Sequence, residues 1–144
     1  MTRVISGGEP VTNPIPINPL LPSIAQILVN VKDLDRAIAF YRDILGMPFL
    51  FQAPPNMAFF DCGGIRLMLG TADRPDLDHP ASIIYYNVKD IEQTYETLKS
   101  RGVEFIVKPH LIAPMPTYDL WLADFKDSEG NYLALMSEVP KQVA

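Results

Sequence analysis

Histidine and cysteine, the side chains most often recruited to catalysis and transition-metal binding, are scarce in this chain of 144 residues. The two histidines are His79 and His110, and the single cysteine is Cys62. His79 falls in the polar run Thr71 to Pro80, where an imidazole is expected to be solvated. His110, within KPHLIAPMP, follows a strand-like run and could overhang a cleft as an acid or base. No residue at fixed spacing partners it, and a surface-loop position is the simpler reading. Cys62 precedes Gly63-Gly64 with no His or carboxylate tied to it, so it reads as a small turn-flanking residue rather than a nucleophile. The two glycines are too short a run to cradle a phosphate. Asp119, Trp121 and Asp124 lie close together, but such carboxylates are more often solvated edge groups than an acid–base pair. His110, Tyr85 and Asp119 are the candidates for any catalytic role.

The chain's bulk properties exclude several classes of partner. Hydrophobic residues make up 48% and charged residues 20%, a balance that can bury a sizeable core. A net charge of −5 argues against a nucleic-acid or anionic-membrane surface, which needs clustered Lys and Arg. One cysteine permits no internal disulfide, no run is long and apolar enough to span a membrane, and the N-terminus lacks the apolar core of a signal peptide. The expectation is a cytoplasmic protein.

The elements that would position these residues come in two copies. Residues 1–22 form an arm with prolines at 10, 14, 16, 19 and 22, expected to be extended. From Ile24 to Val31 the chain reads as a strand, and Asp33 can cap a following helix. Leu34, Ala37, Ile38, Tyr41 and Leu45 make its apolar stripe, and Gly46 ends it. Strands over Phe49–Gln52, Phe59–Cys62 and Ile65–Leu69 follow, the last two around the Gly63-Gly64 turn. The order then recurs. A strand over Ser82–Val88 leads to the cap Asp90, a helix striped by Ile91, Tyr95 and Leu98, and the stop Gly102. Glu104–Val107 and a hairpin of Leu122–Phe125 and Tyr132–Met136 complete it. The sequence Asn-Val-Lys-Asp occurs in both copies, at Asn30–Asp33 and Asn87–Asp90. The expected fold is α+β: two βαβββ modules, 23–70 and 81–138, joined by a linker over 71–80 and followed by a tail over 139–144. Together they form one domain, a partly closed, curved mixed sheet with a central cleft.

The repeat, the helix VKDLDRAIAFYRDILG and the hairpin FKDSEGNYLAL resemble the vicinal oxygen chelate superfamily. That superfamily includes glyoxalase I, extradiol dioxygenases and bleomycin- and fosfomycin-resistance proteins. The resemblance covers Ser23 to Glu138 and implies the cleft fold, with many chemistries and some pure binders built on it. It also implies four cleft-facing strand positions that, in catalytic members, supply His, Glu or Gln to a divalent metal. The first lies seven residues before the helix-capping Asp, at Gln26, and its duplicate falls at Ile83. The other two fall at Met68 and Ala134. Only Gln26 offers an oxygen to a hard cation, so neither a metal nor a cofactor is expected. A dioxygenase iron site would need two His and a carboxylate to converge, and His79 and His110 have no spacing that suggests it.

Strand alternation then puts Gln26, Leu28, Asn30, Ile83, Tyr85 and Asn87 on the cleft walls, with Met68 and Ala134 on its floor. Met115 and Trp121 are expected to add a flexible or aromatic wall. For Leu28 and Ile83, core packing is an equal alternative. The expected ligand is a small, partly apolar organic molecule, bound without a metal by a homodimer. The alternatives are a glyoxalase-type lyase or isomerase with an atypical or absent metal, and a dimeric scaffold with a vestigial cleft.

Overall fold

The computed structural model describes residues 19–142. Residues 1–18, most of the proline-rich arm, lie outside the described residues, as do the last two residues of the tail. The first module runs β1 (Gln26–Asn30), α1 (Leu34–Ala39), β2 (Phe49–Ala53), β3 (Met57–Cys62) and β4 (Ile65–Gly70). The second runs β5 (Ile84–Asn87), α2 (Ile91–Ser100), β6 (Phe105–Pro114), β7 (Tyr118–Lys126) and β8 (Tyr132–Pro140). Each module is a four-stranded mixed sheet, ordered β1-β4-β3-β2 and β5-β8-β7-β6. In both, the first strand pairs with the last in parallel and the other pairings are antiparallel. The duplication seen in the sequence is therefore a duplication of topology.

Local signals explain the shared beginnings. Asp33 and Asp90 each accept the N–H three residues on, from Arg36 at 3.2 Å and Gln93 at 3.1 Å, and so occupy free donors at the helix start. Gly46 and Gly102 end the helical segments at φ of 71° and 88°, a region side chains disfavour. The first helix departs from the regular spacing read in the sequence. After Ala39 it widens into a π-helical turn over Phe40–Ile44, with Leu45 N donating to Phe40 O at 3.0 Å. Phe40 and Tyr41, adjacent in sequence, are both buried in this segment.

Each sheet buries one face under its helix, and the two helix-side layers merge into one core. Val29, Ile38, Phe60 and Leu69 from the first module join Phe125 and Leu133 from the second. The turn after β7 fastens the modules together. Asp127, only 6% exposed, accepts the Tyr41 hydroxyl at 2.7 Å, and also the backbone N–H groups of Glu129 and Asn131, each at 2.8 Å. The Asn131 side-chain amide donates to it as well, at 3.0 Å. Glu129 reaches across to accept from the backbone N–H of Lys32 (2.7 Å) and Asp33 (3.1 Å) at the entry to α1. Arg101, at the end of α2, donates to the Ile44 carbonyl at 2.7 Å. Burial pushes the Tyr41 hydroxyl well above the ordinary tyrosine range, and the Asp127 carboxylate reinforces this. The DSEGN stretch that carries much of the family resemblance is thus a structural latch.

Candidate functional site

Pairing register decides which side chains reach the faces left open by the helices. Leu67 and Leu69 of β4 are buried toward α1, so Arg66 and Met68 point to the open face. Gln26 and Leu28, paired with them on β1, share that face. Phe59 on β3, opposite Met68, and Phe51 on β2, opposite Phe59, extend it. In the second sheet Leu133 and Leu135 are buried toward α2, leaving Ala134 and Met136 on the open face. Tyr85 and Asn87 lie beside them, with Asp124 and Leu122 on β7 and His110 on β6.

Gln26, Leu28, Tyr85 and Asn87 therefore lie on open faces, and Ile83 is exposed immediately before β5. Leu28 is 43% exposed and Tyr85 52%, so both stand out of the core of the single chain. The Gln26 amide donates to the Met68 sulfur at 3.7 Å. Ala134 is buried between Tyr85 and Asp124 on neighbouring strands. Asn30 is committed to the linker: its amide donates to the carbonyls of Leu77 (2.6 Å) and His79 (3.2 Å), while its buried Oδ1 has no partner. Met115 sits in the β6–β7 turn, its N–H donating to Tyr118 O at 2.8 Å.

Three sequence expectations need correction. Trp121 does not face the cleft. It pairs with Ser137 in the ladder, shares the parity of buried Ala123 and Phe125, and packs against the core on the α2 side. Asp119 has the same parity and lies 3.7 Å from the Lys141 ammonium. His110 is a strand residue rather than a loop residue, because β6 continues past Pro109 through an irregularity between Val107 and His110. It pairs with Leu122, and its Nδ1 lies 2.9 Å from the Lys108 carbonyl. His110 and Tyr85 lie on the outer strands of the sheet, with β8 and β7 between them, a separation of roughly 14 Å at about 4.8 Å per strand. The three catalytic candidates do not converge.

Cys62, partly buried, ends β3 as a free thiol. Burial pushes its thiol above the ordinary range, and the nearby Asp61 charge adds to this. Tyr86 is likewise raised by burial, and its hydroxyl is a buried group without a partner. Among the described residues, no group of three His, Cys, Asp or Glu side chains is placed to hold a metal ion.

Among the described residues, no single one of five surface clefts is lined by both open faces. A cleft of about 750 Å³ lies on the helix side of the module junction, between Arg36, Phe40, Glu104 and Lys126. Another, of about 400 Å³, opens on the first sheet beside Gln26, Leu50, Asp61 and Arg66. Arg66 escaped the sequence reading, which looked for metal-ligand types. Its guanidinium lies 5.7 Å from the Phe51 ring centre and 5.4 Å from that of Phe59. The two rings stack on each other, with centres 4.7 Å apart. The signal was available, since Arg66 lies two residues before Met68 and so shares its strand face.

Comparison with known proteins agrees with this architecture. The family model described as "Glyoxalase/Bleomycin resistance protein/Dioxygenase superfamily" matches residues 23–135. The uncharacterized protein YraH of Bacillus subtilis is 25% identical over 125 residues, covering 78% of this chain and 95% of that protein. The metallothiol transferase FosB of Staphylococcus haemolyticus is 29% identical over 92 residues, 60% of this chain and 66% of FosB. A putative glyoxalase family protein from Bacillus anthracis has a similar structure, with a TM-score of 0.69, 20% identity, and coverage of 85% of this chain and 99% of that one. The fosfomycin resistance protein FosX of Listeria monocytogenes aligns with a TM-score of 0.65 at 19% identity, over 82% of this chain and 94% of FosX. With a family model spanning both modules and the duplicated βαβββ fold beneath it, the chain belongs to the glyoxalase/bleomycin resistance protein/dioxygenase superfamily.

Proposed function

We propose that this protein binds a small, partly apolar organic molecule without the aid of a metal, in a cleft completed by a second copy of the chain. The observation that carries this reading is the chemistry at the four positions where the family resemblance places metal ligands. Gln26 spends an amide hydrogen on the Met68 thioether, Ile83 is an exposed hydrocarbon, and Ala134 is a buried methyl group. A hard divalent ion needs several charged or strongly donating oxygens or imidazoles, and one neutral amide does not outcompete water. These residues do not fit the metal.

The faces themselves suit an organic ligand. Leu28, Phe51, Met68 and Tyr85 supply apolar and aromatic surface, with Gln26 and Asn87 at hand for hydrogen bonds. Two exposed half-sites in one chain support dimerisation, because apposing the first sheet of one copy and the second sheet of another would enclose both and cover apolar surface. The reading has a direct test. Titration calorimetry with a broad panel of small organic molecules should give binding that survives exhaustive chelator treatment. Binding that disappears with chelator and returns with a divalent ion would overturn it.

A further inference from the structure

We infer that the linker between the modules is a releasable strap, latched by Asn30, that withholds the Asn30 amide from a ligand on the first open face. This rests on the small-molecule reading above and names how that site is regulated. Val29 and Val31 are buried in the core, so Asn30 shares the open face with Gln26 and Leu28. It stands about 7 Å along β1 from Leu28, at roughly 3.3 Å per residue. The linker crosses that end of the face, since the Asn30 amide donates to Leu77 O at 2.6 Å and His79 O at 3.2 Å. The duplicate residue differs: Asn87, at the matching end of β5, is exposed. One copy of the repeat presents its amide, and the other has it tied to the linker.

Little else fastens this stretch. Asp73 to Pro80 are all exposed. Their other hydrogen bonds stay within the linker, as from Leu77 N–H to Arg74 O at 3.1 Å and from Asp78 N–H to Pro75 O at 3.2 Å. Among the described residues, the two Asn30 bonds are the hydrogen bonds that tie Asp73–Pro80 to the body of the fold. A cleft of about 360 Å³, lined by Asp78 and His79 of the strap and by Glu129 and Asn131, shows that it does not seat flush. The latch is also imperfect. Asn30 Oδ1 is buried without a partner, which offsets part of what the two donor bonds contribute. Exposed backbone held by two neutral hydrogen bonds belongs to the low-stability end of a fold, where local opening precedes global unfolding. Once the strap lifts, Asn30 adds a two-donor amide to the face beside Leu28. A ligand carbonyl there competes with the Leu77 and His79 carbonyls for the same hydrogens.

Hydrogen exchange of the full-length protein, followed by mass spectrometry, reads the latch without any ligand. Asn30→Ala should speed exchange across Leu77–His79 about five- to tenfold, as expected for lost neutral hydrogen bonds, and leave α2 unchanged. Asn87→Ala should leave the linker at the wild-type rate. Benzamide, an apolar ring with a carbonyl acceptor, then probes the competition by NMR titration. Pro75→Gly, Asp76→Ser, Leu77→Gly and Asp78→Ser combined should loosen the turn that presents the carbonyls and tighten benzamide binding about threefold or more. In the Asn30→Ala background the same combination should leave affinity unchanged. Unaltered linker exchange in Asn30→Ala, or an equal rise in α2, would overturn the strap. No tightening by the loosened linker, equal tightening without Asn30, or no benzamide binding in any form would overturn the competition. The exchange result stands apart from the small-molecule reading, which the chelator experiment with the wider panel tests separately.

Discussion

Removing a single oxygen from Tyr41 probes how the two modules are held together. In Tyr41→Phe the ring stays in the core and only the 2.7 Å bond to Asp127 disappears. A hydrogen bond to a charged group is worth about 1.5–3 kcal/mol. The lower part of that range applies, because Asp127 keeps three other donors, the Glu129 and Asn131 backbone N–H groups and the Asn131 amide. The expected loss is therefore about 1.5–2 kcal/mol, or roughly 5–8 °C in melting temperature for a domain of this size. Urea denaturation followed by circular dichroism measures it, with an unchanged dependence on denaturant expected. Combining Tyr41→Phe with Asp127→Asn should give a coupling of about 1 kcal/mol or more, since the two side chains share the bond. A Tyr41→Phe variant within about 0.5 kcal/mol of wild type, the range of an ordinary surface change, would refute the latch.

The same hydroxyl should make the fold sensitive to alkali. Burial raises Tyr41 and Tyr86 above their ordinary value of about 10, so the folded state holds these protons more tightly than the unfolded chain. Their contribution is complete below pH of about 10 and declines above it. Melts from pH 7 to 11 should show a steeper alkaline loss in wild type than in Tyr41→Phe, and equal slopes would count against it. Leu28→Arg places a charge on a half-exposed apolar face and should weaken the proposed dimer at least tenfold, as read by sedimentation equilibrium; an unchanged dimer would exclude that face from the interface, and a monomeric wild type would refute the dimer itself. Trp121→Phe should lower stability by about 1 kcal/mol and leave ligand affinity unchanged, because the indole lies on the helix side of its sheet. A large affinity loss in that variant would contradict the placement.

Much of the fold was legible because its signals are local. Asp33 and Asp90 cap, Gly46 and Gly102 stop, and each does so through its own immediate backbone, so a short window of sequence contains the cause. Signals that depend on distant partners were harder to read. The nine-residue pairing of β7 with β8 sets the parity of Trp121, and nothing near Trp121 announces where that pairing begins. β6 runs on through Pro109 because a ladder irregularity there tolerates a residue without an N–H, whereas the sequence argued for a stop at Val107. The widened turn over Phe40–Ile44 goes with burial of two adjacent aromatic residues, a tertiary demand that helical spacing does not encode. The open-face residues Gln26, Leu28, Tyr85 and Asn87 were found by alternation alone. That the two open faces share none of the five clefts was not legible, because it depends on how the modules pack.

The metal content of the purified protein is the most direct test of a site built without a cation. Protein prepared without chelator, equilibrated separately with zinc, nickel, manganese and ferrous ions and then desalted, should retain far less than one ion per chain by mass spectrometry. The proposed metal-free site, built on the donor chemistry of Gln26, Met68, Ile83 and Ala134, predicts that result. One tightly held divalent ion per chain, surviving desalting, would contradict it and would mean that other side chains form the centre.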